Sequence, residues 1–259
     1  MNFQDMIARL FTDYWRLYLA GTGFTILLAV IGTVAGFAIG LGVGVVRCIP
    51  LRTGGQTHIS PRSAFLRIIN AILAIYIEVF RGTPMIVQAV LVYYGLPEFL
   101  SIDIDALPAA MLVITLNTGA YMSEIVRGGI YSVDSGQSDA AKAIGMTHWK
   151  TMIHVVLPQT IRNILPAAGN EFVVNLKDSS VLNVITVGEL FYVTNTVKGI
   201  FYRTYEPFLI AACIYLSLTF ISSRLLRYLE NKMDGTKNFT VIASSTMPEM
   251  LKKPGQDRR

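Results

Sequence analysis

Five apolar runs, at about residues 22–46, 68–97, 106–128, 164–190 and 206–228, alternate along this chain with polar stretches marked by Gly and Pro. Each run reaches the roughly 20 residues that a helix rising ~1.5 Å per residue needs to cross a hydrocarbon core. The pattern predicts an all-α polytopic membrane protein of about five transmembrane helices. The fourth run is the weakest by hydropathy, because Asn170, Glu171, Asn175, Lys177 and Asp178 interrupt it. Three regions follow: an N-terminal segment over 1–21, a membrane domain over 22–230, and a tail over 231–259. The tail mixes Gly, Pro, Ser and charges without periodicity, which predicts a flexible segment. The first run is too long for the apolar core of a cleavable signal peptide and reads as a span.

Within the first run, Gly32, Gly36, Gly40 and Gly44 recur every four residues and form one ridge of a helix. Such a ridge lets another backbone approach closely where lipid supplies no hydrophobic drive. In the second run, Glu78 and Arg81 stand one helical turn apart and can neutralise each other. Gly82-Thr83-Pro84 follows at once. Pro84 lacks an N–H and disfavours helix at Thr83, so the run is expected to break there, or at least to kink. A broken helix at membrane depth needs protein or water around it. Its second half would begin near Pro84 with free N–H groups suited to a carboxylate.

The fourth run holds the densest polar chemistry. Lys177, Asp178, Ser179 and Ser180 fall some 17–21 Å along a helix from Pro166, near the middle of a bilayer. Glu171, Asn175 and Asp178 share one face, with Asn170 and Lys177 beside it. Ionised groups at that depth cost ~2.5–3.5 kcal/mol each, so they are expected to face an aqueous cavity or a polar partner. Lys177 suits a carboxylate, Asp178 an ammonium group, and the hydroxyls can orient a ligand. A self-satisfied Lys177–Asp178 network holding the bundle together is the alternative.

Between the third and fourth runs lies DAAKAIGMTHWKTMIHVVLP, residues 139–158. It reads as a short helix, a Gly stop at Gly145 and a restart at Leu157-Pro158, a docking element rather than a catalytic site. Upstream, Glu124 and Arg127 are one turn apart and expected to pair.

Composition and charge sharpen this picture. The chain is 53% hydrophobic and 15% charged, with a mean hydropathy of +0.50; soluble domains carry ~25% charged residues. The net charge of +5 would fit nucleic acid, but its distribution argues for membrane topology instead. Arg47, Arg52, Arg62, Arg67, Arg127, Lys142, Lys150 and Arg162 fall on one side. Arg224, Arg227, Lys232, Lys237, Lys252, Lys253, Arg258 and Arg259 join them, against only Arg9, Arg16, Lys198 and Arg203 on the other. This bias puts the N-terminus outside and the C-terminus and the 139–158 segment in the cytoplasm. The Arg-rich stretch from Arg47 to Arg67 is expected to be a flexible connector near anionic lipid. Cys48 and Cys213 match no metal spacing or disulfide framework, and His148 and His154 stand apart from other ligand types; no metal site is expected. Hydrolase, zinc-protease and phosphate-loop motifs are absent, so ATP hydrolysis would need another chain.

Asp139-Ala140-Ala141, Gly145 and Val155-x-Leu157-Pro158 resemble the EAA-loop signature of ATP-binding cassette importer permeases, with Asp for the usual Glu and Val for the usual Ile. EVFRGTP in the second run and GNEFVVNLKDSSVL in the fourth are similar to the polar amino-acid subfamily of these permeases. YMSEIVRGGIYSVDSGQSDAAKAIGM, residues 121–146, resembles the stretch that leads into the same loop. The resemblance covers roughly residues 20–230. It implies a non-catalytic subunit in a bacterial inner membrane, paired with an identical or paralogous permease. Two cytoplasmic ATPases would hold ATP and Mg, an extracytoplasmic binding protein would deliver an amino acid, and this chain would hold no cofactor. Asp139, Ala140, Ala141, Lys142, Ala143, Gly145 and Met146 would form the coupling helix. Lys177, Asp178, Ser179, Ser180, Glu171, Asn175, Asn170, Arg81, Thr83, Pro84 and Glu78 would lie on the substrate path. An opine or amine importer, and less readily an ion-coupled carrier or membrane enzyme, remain alternative readings.

Overall fold

The computed structural model describes residues 2–49 and 61–233. The described residues form α1 (Phe3–Asp13), α2 (Trp15–Arg47), α3 (Pro61–Gly82), α4 (Met85–Leu100), α5 (Ala106–Tyr131) and α6 (Ser135–Ala143). After them come α7 (His148–Thr151), α8 (Leu157–Asp178), α9 (Leu190–Phe201) and α10 (Tyr205–Met233). Four helices, α2, α3, α5 and α10, are long and apolar enough to cross a membrane. The fourth predicted run corresponds to α8, whose polar residues keep it out of that group. It nevertheless packs among α2, α5 and α10.

The α2–α5 pair is the spine of the molecule. Gly32, Gly36, Gly40 and Gly44 are all buried. A Cβ added to each would meet, in turn, Ile114, Thr118, Met122 and Val126 on α5. Four-residue steps on both helices in the same order mean that α2 and α5 run parallel at backbone contact. Their starts therefore share one side and their ends the other. At those ends, the Glu124 carboxylate accepts from Arg47 and from Arg127, the latter at 2.7 Å. The expected Glu124–Arg127 pair is present, and Arg47 ties it to α2.

Several boundaries differ from the sequence reading. The segment 1–21 is not a mere polar leader. It holds the amphipathic helix α1, whose Met6 and Leu10 are fully buried with Leu190, Val193 and Ile210, and α2 starts already at Trp15. A few apolar residues at helical spacing on α1 suffice for that docking, and they are too few to raise hydropathy. The fourth run does not continue to residue 190. Its α-helix ends at Asp178, Ser179–Ile185 form a tight 3₁₀ segment, and Thr186 takes a positive φ of 63°. Glu189 then caps α9, its fully buried carboxylate accepting from Phe191 N (2.8 Å), Tyr192 N (2.6 Å) and the Tyr215 hydroxyl (2.9 Å).

The connector expected from Arg47 to Arg67 is helical from Pro61 onward, and its residues 50–60 lie outside the described part. The tail is helical as far as Met233, and the rest lies outside the described residues as well.

Candidate functional site

The break in the second run is real. α3 ends at Gly82 and α4 begins at Met85, with Pro84 extended at φ −63° and ψ 137°. Because Pro84 cannot donate, the Phe80 carbonyl loses its helical partner. Two side chains replace it: Gln88 Nε2 donates at 2.9 Å and Asn117 Nδ2 at 3.2 Å. Gln88 Nε2 also lies 2.9 Å from the Thr83 carbonyl and 3.0 Å from its hydroxyl, while Asn117 donates to Gln88 Oε1 at 3.0 Å. Buried Gln88 thus staples both halves of the broken span, and Asn117 pins the break to α5.

Beside this staple lies a cavity of about 560 Å³, lined by Arg81, Thr83, Pro84 and Met85 of the broken span and by Asn117 and Tyr121 of α5. Glu171, Val174, Asn175 and Asp178 of α8 close the other side. α4 begins at this wall with Met85, which places the partially positive end of its dipole at the cavity's edge. The Arg81 guanidinium sits 5.3 Å over the Tyr121 ring. Among the described residues, neither Arg81, Glu171 nor Asp178 enters an ion pair within 4 Å. A cation and two carboxylates therefore line one cavity without neutralising each other in direct contact.

Depth follows from Asn175. Its amide accepts from Thr118 Oγ1 and donates to Thr33 Oγ1, both at 3.0 Å. Thr33 and Thr118 lie near the middle of α2 and α5. The cavity therefore sits at the mid-length of α2 and α5, where Asn175 ties α8 to both helices.

At the other end of α5, Ser132–Asp134 lead directly into α6, whose start Asp134 caps by accepting from Gly136 N at 2.7 Å. Asp139 and Lys142 pair at 3.1 Å on its exposed face. Gly145, at φ +85°, closes the helix: its N–H reaches Lys142 O (2.9 Å) and the Met146 N–H reaches Ala141 O (3.0 Å). This is the paired 5→2 and 6→1 closure that favours Gly at C′. The helix restarts at His148, capped by Thr147, and not at Leu157-Pro158 as the sequence suggested. Pro158 instead follows a single wide π turn over Met152–Val156. Its missing N–H and the clash of its ring with the preceding turn account for the widening. Ile144 and Trp149 protrude, 80% and 54% exposed.

Residues 62–235 match the family described as the binding-protein-dependent transport system inner membrane component. The chain belongs to this family. It is 35% identical over 218 residues to the glutamine transport system permease protein GlnP of Escherichia coli (strain K12), covering 84% of this chain and 93% of that one. It is 35% identical over 237 residues to the nopaline transport system permease protein NocM of Agrobacterium fabrum, covering 87% and 91%. A crystal structure of an amino acid ABC transporter with histidines superimposes with a TM-score of 0.75 at 35% identity, covering 90% of this chain and 99% of that chain. The chain is thus a multi-pass permease subunit of an ABC importer, a family that works with ATPase, binding-protein and second permease partners.

In this permease, the cavity gathers Arg81, Thr83, Pro84, Glu171, Asn175 and Asp178. Glu78, Asn170, Lys177, Ser179 and Ser180 do not line it. Glu78 makes no ion pair with Arg81, and Lys177 makes none with Asp178, within 4 Å. Ser179 is buried and spends its hydroxyl on Leu176 O (3.1 Å), while Ser180 O accepts from Asn183. The cation in the cavity is Arg81, from the broken span. Gln88, Asn117 and Tyr121 were missed by sequence reasoning. A Gln one turn past a span-breaking Pro was the one available signal.

Proposed function

We propose that this permease forms half of the translocation path of an ATP-driven amino-acid importer. The observation that carries the reading is the mid-span cavity where Arg81 faces Glu171 and Asp178. A zwitterion presents one carboxylate and one ammonium group, and the cavity offers a counter-charge for each. Arg81, with the α4 N-terminus, receives the carboxylate; Asp178 or Glu171 receives the ammonium group. With two carboxylates against one guanidinium, neutral and basic side chains fit better than acidic ones. Similarity to a glutamine permease and to an amino acid transporter supports the substrate class. Similarity to a nopaline permease favours a second reading, an opine importer.

The subunit itself catalyses nothing and holds no cofactor or metal; ATP and Mg reside on two cytoplasmic ATPases. A second permease, identical or paralogous, closes the exposed flank of the cavity, and an extracytoplasmic binding protein delivers substrate. The N-terminus lies outside and the C-terminus inside, with α6 as the coupling helix facing an ATPase. ATP-driven closure of the ATPases moves α6. Because α6 follows α5 after a three-residue link, and α5 is welded to α2, the motion reaches the cavity wall as a rigid-body shift.

The test compares Arg81→Gln, Asp178→Asn and Lys177→Met in the purified complex by substrate-stimulated ATPase activity and by thermal stability. Loss of a charged hydrogen bond of ~1.5–3 kcal/mol should weaken substrate dependence roughly 10- to 150-fold in the first two. Lys177→Met should change it little. Unchanged substrate dependence in both cavity variants would remove the site assignment. Ligand screening of the binding protein separates an amino acid from an opine.

A further inference from the structure

A second cavity, about 620 Å³, lies where α1 meets the N-terminal parts of α2 and α10. Its walls are almost wholly apolar and include Ile7, Phe11, Trp15, Leu209, Cys213 and Ser217. Along α10 the lining runs from Leu209 to Ile221, about 18 Å at ~1.5 Å per residue. That is close to the depth of one leaflet of a hydrocarbon core ~30 Å thick. The groove thus extends along α10, and it begins at the level of an amphipathic helix that belongs at a membrane surface.

One wall residue, Trp15, carries a cation on its face. Arg16 lies 5.4 Å over the ring of Trp15, itself a wall of the groove. Among the described residues, neither Arg9 nor Arg16 forms an ion pair within 4 Å. Asp5 accepts from Asn2 N at 3.3 Å and Asp13 from the Thr12 hydroxyl at 3.0 Å, and neither carboxylate reaches Arg9 or Arg16 within 4 Å. A Trp beside a basic residue at the end of a span is an interfacial anchor. An apolar slot one leaflet deep, with the exposed Arg16 guanidinium stacked on its Trp15 wall, fits one molecule class best.

We propose that this groove is a binding site for an anionic phospholipid of the leaflet on the N-terminal side, its acyl chain between α1, α2 and α10 and its phosphate at Arg16. The bound chain fills the wedge that α1 leaves against α10 and holds α1 in place. This site is independent of the substrate cavity and of the substrate reading.

The chain has two tryptophans, so Trp149→Phe leaves Trp15 as the sole tryptophan, read by selective indole excitation. The full-length protein is reconstituted in phosphatidylcholine vesicles holding a minor fraction of phosphatidylglycerol brominated along its acyl chains. Trp15 quenching should exceed that of random lipid mixing. Arg16→Gln, at an exposed position, should lower this preference roughly fivefold, the equivalent of ~1 kcal/mol per basic residue near an anionic headgroup. Ser217→Phe, which fills the groove, should reduce quenching to random mixing with thermal unfolding unchanged. Quenching at the random level in the parent protein would overturn the site. Absence of quenching would also overturn it, because Trp15 would then be covered by protein, such as a second permease copy. Excess quenching that survives Ser217→Phe would place the lipid elsewhere.

Discussion

Gln88 stands four residues beyond the Pro84 break and serves three acceptors with one amide nitrogen. Gln88→Leu keeps the size and the apolar fit but leaves Phe80 O and Asn117 without that partner in a buried setting. A loss of ~1–3 kcal/mol is expected, read as a lower unfolding midpoint of the purified protein. An unchanged midpoint would mean that the break is held by the backbone alone. The polar residues of α8 were legible in the sequence as a class, because charges at membrane depth are costly and need a reason. Their sorting was not. Asn175 turns inward to Thr33 and Thr118 and Ser179 back to its own helix, while Lys177 is not among the residues that line the cavity. Helical phase placed Glu171, Asn175 and Asp178 together correctly. It could not show that the matching cation comes from Arg81, because that pairing depends on how α3 docks on α5.

Among the elements, the α2–α5 contact is the most constrained. A Cβ on Gly36 would lie 2.8 Å from Thr118 Cβ, and one on Gly40 would collide with the Met122 backbone. Gly40→Leu is expected to separate the two helices and abolish accumulation of folded protein. Gly42→Leu, where a Cβ meets nothing within 4 Å, should be tolerated. Size-exclusion profiles of both variants check this pair. The ridge was legible because a period of four is visible in one dimension. The helix α1 and the end of α8 were not. α1 is held by a few buried residues below the threshold of any apolar run. The break after α8 leads into α9, whose N-cap Glu189 also accepts from Tyr215 on distant α10, a partner that no local pattern reveals. Gly145 was legible as a helix stop, and its φ of +85° explains why. Gly145→Ala should cost about 1 kcal/mol. Gly145→Pro also removes the N–H that reaches Lys142, and it should uncouple ATP hydrolysis from transport while membrane insertion persists. Normal uptake by Gly145→Pro would remove the coupling role of α6.

For the whole molecule, parallel α2 and α5 put Arg47, Arg127 and α6 at one end and the 101–105 loop at the other, as the distribution of basic residues requires. In a background with Cys48 and Cys213 replaced by Ser, Asp103→Cys should react with an impermeant maleimide from outside and Gln137→Cys only from inside. Labelling of both from one side would contradict the topology. The most direct measurement is amino-acid uptake into sealed vesicles containing the complete complex. ATP-driven import requires accumulation that depends on ATP at the ATPase side and on loaded binding protein at the other, and that survives collapse of all ion gradients. Uptake that proceeds without ATP and follows an imposed ion gradient would contradict it.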